Sequence, residues 1–482
     1  MTIDPGLRRL ALRTLLAAFP GHTAPDWATD LLTQGLAGYT LFGYNISDGD
    51  QLAALTGQLR AARPDALLAI DEEGGDVTRL AHRTGSPYPG NAALGAIGDL
   101  DLTRRVYHAI GTELTAAGIN LNLAPTVDVN TATDNPIIGT RSFGADPVRV
   151  AVHAAAAVVG LQQAGVAACA KHFPGHGATV TDSHHDLPTV DVTEQVLRER
   201  ELPPFAAIVA AGAKAVMTAH IRVPVLTGDD PATFSRAVLT DLLRDEFGFT
   251  GVIVTDALEM QGAKRIAGGI GPAAVRALDA GADLLCLGAD IDLEIVEQVA
   301  ADIVAAIKDG SLSLARVEEA AARNDALAAW TAGSIEVEAS PRLGYDAARR
   351  AVSVEGSLDG FEHPFVVQLR AGHTIAEGAV PWGLTMHLAD TPQLAVAADE
   401  TSVDALIDAA AGRPIVLVGR HTHRNPAARS LAEQLAAVHP LAVVEMGWPA
   451  GWRPRGAQAF ITTYGASHAN GRAAAEVLGL AG

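Results

Sequence analysis

The chain reads as an α/β protein, with a (β/α)8 TIM-type barrel over residues 1–334, a linker at 335–345 and a smaller C-terminal α/β domain over 346–482. Three observations predict this. Short apolar runs alternate with longer helical stretches up to about residue 330, there are eight such runs, and polar residues gather where the runs end.

In chain order the runs are TLLAAF (14–19), GYTLFGY (38–44), ALLAI (66–70), INLNLAP (119–125), VAACAKH (166–172), AKAVMTAH (213–220), GVIVTD (251–256) and DLLCLG (283–288). Each suits a buried strand, and the segments 101–117, 147–164, 194–212 and 235–247 between them read as helices. Eight strands suggest a closed barrel, with an open doubly wound sheet as the rival. Position favours the barrel. Asn45, Asp71, Asp128, Lys171, His172, His220 and Asp256 stand at or just past the C-terminal end of a run, the face on which such barrels carry their sites. One polar residue there is commonly a cap or a turn former, but seven together are harder to explain that way.

After a helix around 315–331, TAGSIEVEASPRLG loses helical periodicity and carries Gly, Ser and Pro, as a linker does. Beyond it PIVLVGR (414–420), LAVVEMG (441–447) and AQAFITTYG (457–465) read as strands, and 425–438 and 468–479 as helices. No nucleotide-binding glycine fingerprint occurs in this part, and its expected role is packing or dimerisation. On that reading a chain ending near residue 335 keeps every residue named below.

At 482 residues, 49% hydrophobic and 19% charged, the chain is long and apolar enough for two domains. Asp and Glu outnumber Lys and Arg by 55 to 35, and the net charge of −20 disfavours nucleic acid or an anionic membrane as partner while suiting a small neutral substrate. No apolar stretch approaches the roughly 20 residues of a membrane span. Arg13 and Pro20 interrupt the N-terminal apolar stretch, so no signal peptide is read there. Cys169 and Cys286 lie in apolar runs as expected of reduced thiols, and a soluble cytoplasmic protein is the expectation. The oligomeric state is left open.

The densest polar cluster is KHFPGHGATVTDSHHDLP, residues 171–188. KHFPGHG followed by DSHxxLP resembles the signature of the β-N-acetylglucosaminidase branch of glycoside hydrolase family 3. DEEGGDVTRL (71–80), VDV…IIGTRSF (127–143) and GVIVTDALEM (251–260) match in the same order, so the resemblance covers about the first 330 residues. It implies a retaining exo-acting hydrolase of small carbohydrates bearing a terminal N-acetylglucosamine, from cell-wall turnover or chitin, with no cofactor and no metal. By the same resemblance Asp256 is the nucleophile and His184, with Asp182, the acid/base. Asp71, Lys171, His172 and Arg141 grip the sugar, with Arg79 a lesser candidate. Many members carry a second Asp after the nucleophile, where this chain has Ala257.

The chemistry agrees with these residue types. Retention needs a carboxylate beneath the anomeric carbon and a separate proton donor at the leaving oxygen. Cations such as Lys171 or Arg141 would keep the carboxylate ionised. An imidazole, with a pKa of ~6.5 when free, can donate and then accept a proton when a carboxylate steadies it. Two rivals use the same segments. A phosphorylase would share every motif. A metal-dependent hydrolase would instead recruit His172, His176, Asp182, His184, His185 and Asp186 as ligands.

Overall fold

The computed structural model describes residues 4–181, 187–330, 342–388 and 390–481. Eight parallel strands form the first sheet: β1 (Leu15–Ala17), β2 (Gly38–Leu41), β3 (Leu67–Ile70), β4 (Leu121–Asn122), β5 (Ala167–Phe173), β6 (Ala215–Thr218), β7 (Val252–Val254) and β8 (Leu285–Cys286). They are ordered β7-β6-β5-β4-β3-β2-β1-β8. A parallel bridge between Val254 and Leu284, with Thr255 N donating to Leu284 O at 2.9 Å, brings β7 round to β8 and nearly closes the ring. The barrel is therefore the architecture, and the open sheet is excluded. Its interior is filled by apolar side chains, among them Leu16, Leu67, Leu121, Cys169, Met217 and Val254.

Local chemistry fixes the intervening helices. Asp146 accepts from Arg149 N at 2.9 Å and Pro147 opens the helix Pro147–Gln163, a side-chain cap followed by a residue that has no N–H to leave unpaired. The 194–212 segment is not one regular helix. It runs as Glu194–Val196, a π-helical turn Leu197–Glu201 and a helix Pro203–Ala210, since Pro203 and Pro204 supply no amide hydrogens to continue the ladder.

The chain folds into two compact units whose segments alternate along the sequence. One comprises Met1–Glu72, Thr103–Pro136 and Ala145–Glu338; the other comprises Glu73–Leu102, Ile137–Gly144 and Ala339–Gly482. The second unit holds a six-stranded sheet of β9 (Ser353–Gly356), β10 (Phe365–Leu369), β11 (Gln393–Val396), β12 (Ile415–Gly419), β13 (Leu441–Glu445) and β14 (Ala459–Thr462). Its order is β11-β10-β12-β13-β14-β9, all parallel except the β14–β9 pair. Alternate residues of β10, β12 and β13 enter two different apolar clusters, Val366, Val416 and Val444 in one and Val367, Leu417 and Val443 in the other. Both faces are thus covered, which is why β12 and β13 read as continuous apolar runs; β10 was not among the strands expected from the sequence. Among the described residues no helix is long and apolar enough to cross a membrane.

Candidate active site

Three strand ends of the barrel build one polar group. Asp71 directly follows β3, and Lys171, within β5, donates from Nζ to Asp71 Oδ1 at 2.6 Å. The lysine side chain is 3% exposed and the aspartate 19%, so this pair is largely withdrawn from water. Asp128, past β4, is fully buried and organises the start of the KHFPGHG loop. It accepts from His172 N at 3.3 Å and His176 N at 2.7 Å through Oδ1, while His172 Nδ1 meets Oδ2 at 2.7 Å. With Nδ1 held there, His172 is fixed in ring orientation. The loop is tight enough to need glycine at position 177, where a Cβ would fall 2.0 Å from the Val129 carbonyl oxygen.

These contacts set the charges. Burial alone would raise the Asp128 carboxyl, but the neighbouring His172 and the hydrogen bond it makes, with His176 behind, hold it below its ordinary value. His176 is pushed down to about 4 by burial first and then by His172, with Asp128 opposing only in part. Its Nδ1 meets Thr179 Oγ1 at 2.7 Å, and its carbonyl accepts from Asn135 Nδ2 at 2.9 Å. Glu201 ends the π-helical turn with no exposed surface, and burial lifts its carboxyl to about 7 against the pull of Arg200.

Asp256 follows β7 by two residues, and the turn carrying it is tied to β8. Thr255 Oγ1 accepts from Cys286 N at 3.0 Å, Leu258 N donates to Cys286 O at 2.9 Å, and Asp256 Oδ1 accepts from Ala257 N at 2.8 Å. Asp256, Asp71 and Lys171 all act electrostatically on the buried Cys169 thiol, whose pKa is raised chiefly by burial. The structure thus brings Asp71, Lys171, His172 and Asp256 to the C-terminal end of one barrel.

Arg141 and Arg79 lie on the segments that belong to the second unit. Arg141 grips Glu73 with two parallel bonds, Nε–Oε2 at 3.0 Å and Nη2–Oε1 at 2.8 Å, and donates from Nη1 to Ile137 O at 2.9 Å. Arg79 donates to the Ala376 and Glu377 carbonyls at 2.7 and 3.3 Å, so its guanidinium anchors the loop before β11. Asp182, His184, His185 and Asp186 lie outside the described residues.

The sequence profile of the Glycosyl hydrolase family 3 N terminal domain matches residues 12–326. The chain belongs to glycosyl hydrolase family 3. A β-hexosaminidase A of Pseudoalteromonas piscicida is 36% identical over 328 residues, 62% of this chain, and the chain spans only about half (54%) of that relative's length. A β-hexosaminidase of Chromobacterium violaceum is 40% identical over 257 residues, 52% of this chain and 71% of its own. Among solved structures, a family 3 β-N-acetylglucosaminidase from Paenibacillus sp. str. FPU-7 matches with a TM-score of 0.87 at 32% identity, over 98% of this chain and 96% of its own.

In this family 3 chain several residues beyond the expected set shape the site. Asp128 and His220 were visible only as polar residues at strand ends and His176 only as a histidine of the KHFPGHG run, whereas nothing in the sequence marked Glu201 as a partner of that loop. Asn45 has the plainer role open to such residues. Its side chain donates to Phe19 O and Gly21 O, both at 2.8 Å, and accepts from Phe42 N at 2.9 Å, serving the backbone alone.

Proposed function

We propose that the chain is a retaining exo-β-N-acetylglucosaminidase that releases terminal β-linked N-acetylglucosamine through a covalent glycosyl-Asp256 intermediate, in cytoplasmic cell-wall or amino-sugar turnover. The observation that carries this reading is the delivery of the Lys171–Asp71 pair and the Asp256 carboxylate to the same end of one barrel. A buried ion pair there offers directed donors and acceptors for sugar hydroxyls, and the Ala257 N–H holds the carboxylate of the proposed nucleophile. His172, oriented by Asp128, adds a third sugar contact. Arg141 is assigned to sugar binding through the motif it belongs to, and Asp182 with His184 to acid/base catalysis in the same way. The name of the Paenibacillus β-N-acetylglucosaminidase supports the N-acetylglucosamine specificity, and the β-hexosaminidase relatives support the broader class.

A 2-deoxy-2-fluoro glycoside with a good leaving group should trap the intermediate, and peptide mass spectrometry should find the sugar on Asp256; labelling elsewhere would overturn the assignment. The same enzyme in phosphate buffer should release free N-acetylglucosamine. Sugar 1-phosphate would assign phosphorolysis instead.

A further inference from the structure

His220 stands two residues past β6, has no exposed surface, and takes no part in the chemistry assigned above. Its Nε2 lies 3.0 Å from the carbonyl oxygen of Ala257, the residue that follows the nucleophile. A carbonyl can only accept, so Nε2 carries the hydrogen. Nδ1 lies 2.8 Å from Thr233 Oγ1, a hydroxyl that is itself 3.1 Å from the Ala219 carbonyl oxygen and 2.9 Å from Thr218 Oγ1. The Thr233 hydroxyl thus steadies the far side of the ring, leaving the Nε2–H aimed at Ala257 O.

The receiving end of this chain matters for Asp256. The Ala257 N–H points at Asp256 Oδ1, its carbonyl takes the His220 hydrogen, and the next amide, Leu258 N–H, is bound to Cys286 O. Ala257 is therefore held on both flanks, and its backbone angles decide where its N–H meets the carboxylate. Alanine at this position has no polar side chain with which to hold itself. We propose that His220 is a positioning residue for the nucleophile, aiming the Asp256 carboxylate through the Ala257 backbone with its Nε2–H. This rests on the reading of Asp256 as nucleophile.

A group that acts only through the nucleophile should be felt equally whatever departs. His220→Leu in the full-length chain should lower kcat by about 10- to 100-fold, equally for a nitrophenyl N-acetylglucosaminide and a disaccharide, because a small misplacement of a reacting group costs on that scale. KM should stay nearly constant. His220→Gln, whose amide N–H can reach the same carbonyl, should recover most of the loss, which a purely space-filling role would not predict. Thr233→Val keeps the imidazole but removes the hydroxyl that steadies its Nδ1, and should lower kcat several-fold. An unchanged kcat in a leucine variant with native near-ultraviolet circular dichroism, or a rise in KM alone, would overturn the proposal. Should that variant fail to fold, Thr233→Val decides, an unchanged kcat being the overturning result. Asp256→Ala measured alongside keeps the two readings apart. If it retains turnover, the nucleophile assignment fails; if it is inactive while the His220 and Thr233 variants match the parent, only the positioning role fails.

Discussion

Removing the Asp256 carboxylate and removing the His184 imidazole should leave different marks on substrates that differ in leaving group. On the proposed mechanism Asp256→Ala takes away the group that forms the intermediate, so turnover should vanish for every substrate. On the same mechanism His184→Ala removes proton donation, which a nitrophenolate hardly needs and a sugar alkoxide needs greatly, so disaccharides should lose about 100- to 10,000-fold. The aryl glycoside should instead give a burst followed by a slow steady state, because water loses its base. An equal loss on both substrates without a burst would move the acid/base role elsewhere. Glu201 permits a different single-residue measurement. Its folded-state pKa is raised, from an ordinary 4.5 to about 7, so the stability it contributes is present below the lower value and is lost as pH rises through the higher one. Glu201→Gln abolishes that titration. Between pH 5 and 8 the parent should lose up to about 3 kcal/mol relative to the variant in urea unfolding, the free energy of about 2.5 pKa units at 1.36 kcal/mol each. A constant difference across that range would show that Glu201 is not held neutral.

The loop that leaves β5 depends on two close approaches. A Cβ at position 177 would meet the Val129 carbonyl at 2.0 Å, and Gly175, at φ +129°, would bring one to 2.8 Å from Glu201 Oε2. Gly177→Ala must therefore displace the strand-end segment that carries Asp128, and with it the anchor of His172 and His176. We expect about 1–3 kcal/mol of destabilisation and a larger loss of kcat/KM than the fall in Tm alone explains; parental activity in this variant would contradict the tight loop. The same elements show what the sequence could and could not disclose. β5 and β7 were legible because strands buried on both faces are apolar throughout, and Asp71, Lys171 and Asp256 were legible because they interrupt or end such runs. β9 and β11 were not, since each exposes three of its four residues at an edge of the second sheet and offers no apolar run. The π-helical turn also left no periodic signal of its own. Asp128 was visible as a strand-end residue, but its three hydrogen bonds to the KHFPGHG loop depend on tertiary contacts that spacing does not encode.

Over the whole chain, the segments that make up the second unit change what a shortened protein should do. Every residue named for chemistry precedes 335, and sequence reasoning alone expected a chain ending there to keep them all in place. In the structure Asp76 accepts from Thr140 Oγ1 at 2.6 Å and from Ala466 N at 2.7 Å, and it pairs with Arg420 at 3.1 Å. Arg79 is bonded to the carbonyls of residues 376 and 377. A chain ending at 335 loses all but the first of these partners. It should therefore retain barrel circular dichroism, melt lower, and lose most of its activity through the Glu73–Arg141 segment. Full activity in a folded truncation would show that this segment stands without them. The bond from Ala466 to Asp76 spans 390 residues, and it carries a consequence in time. Translation adds about 5–20 residues per second, so Asp76 waits about 20 to 80 s on the ribosome before its last partner exists. Over that interval the Glu73–Leu102 segment lacks this tie, and the yield of this enzyme in a cell should depend on how well chaperones shelter it until synthesis ends.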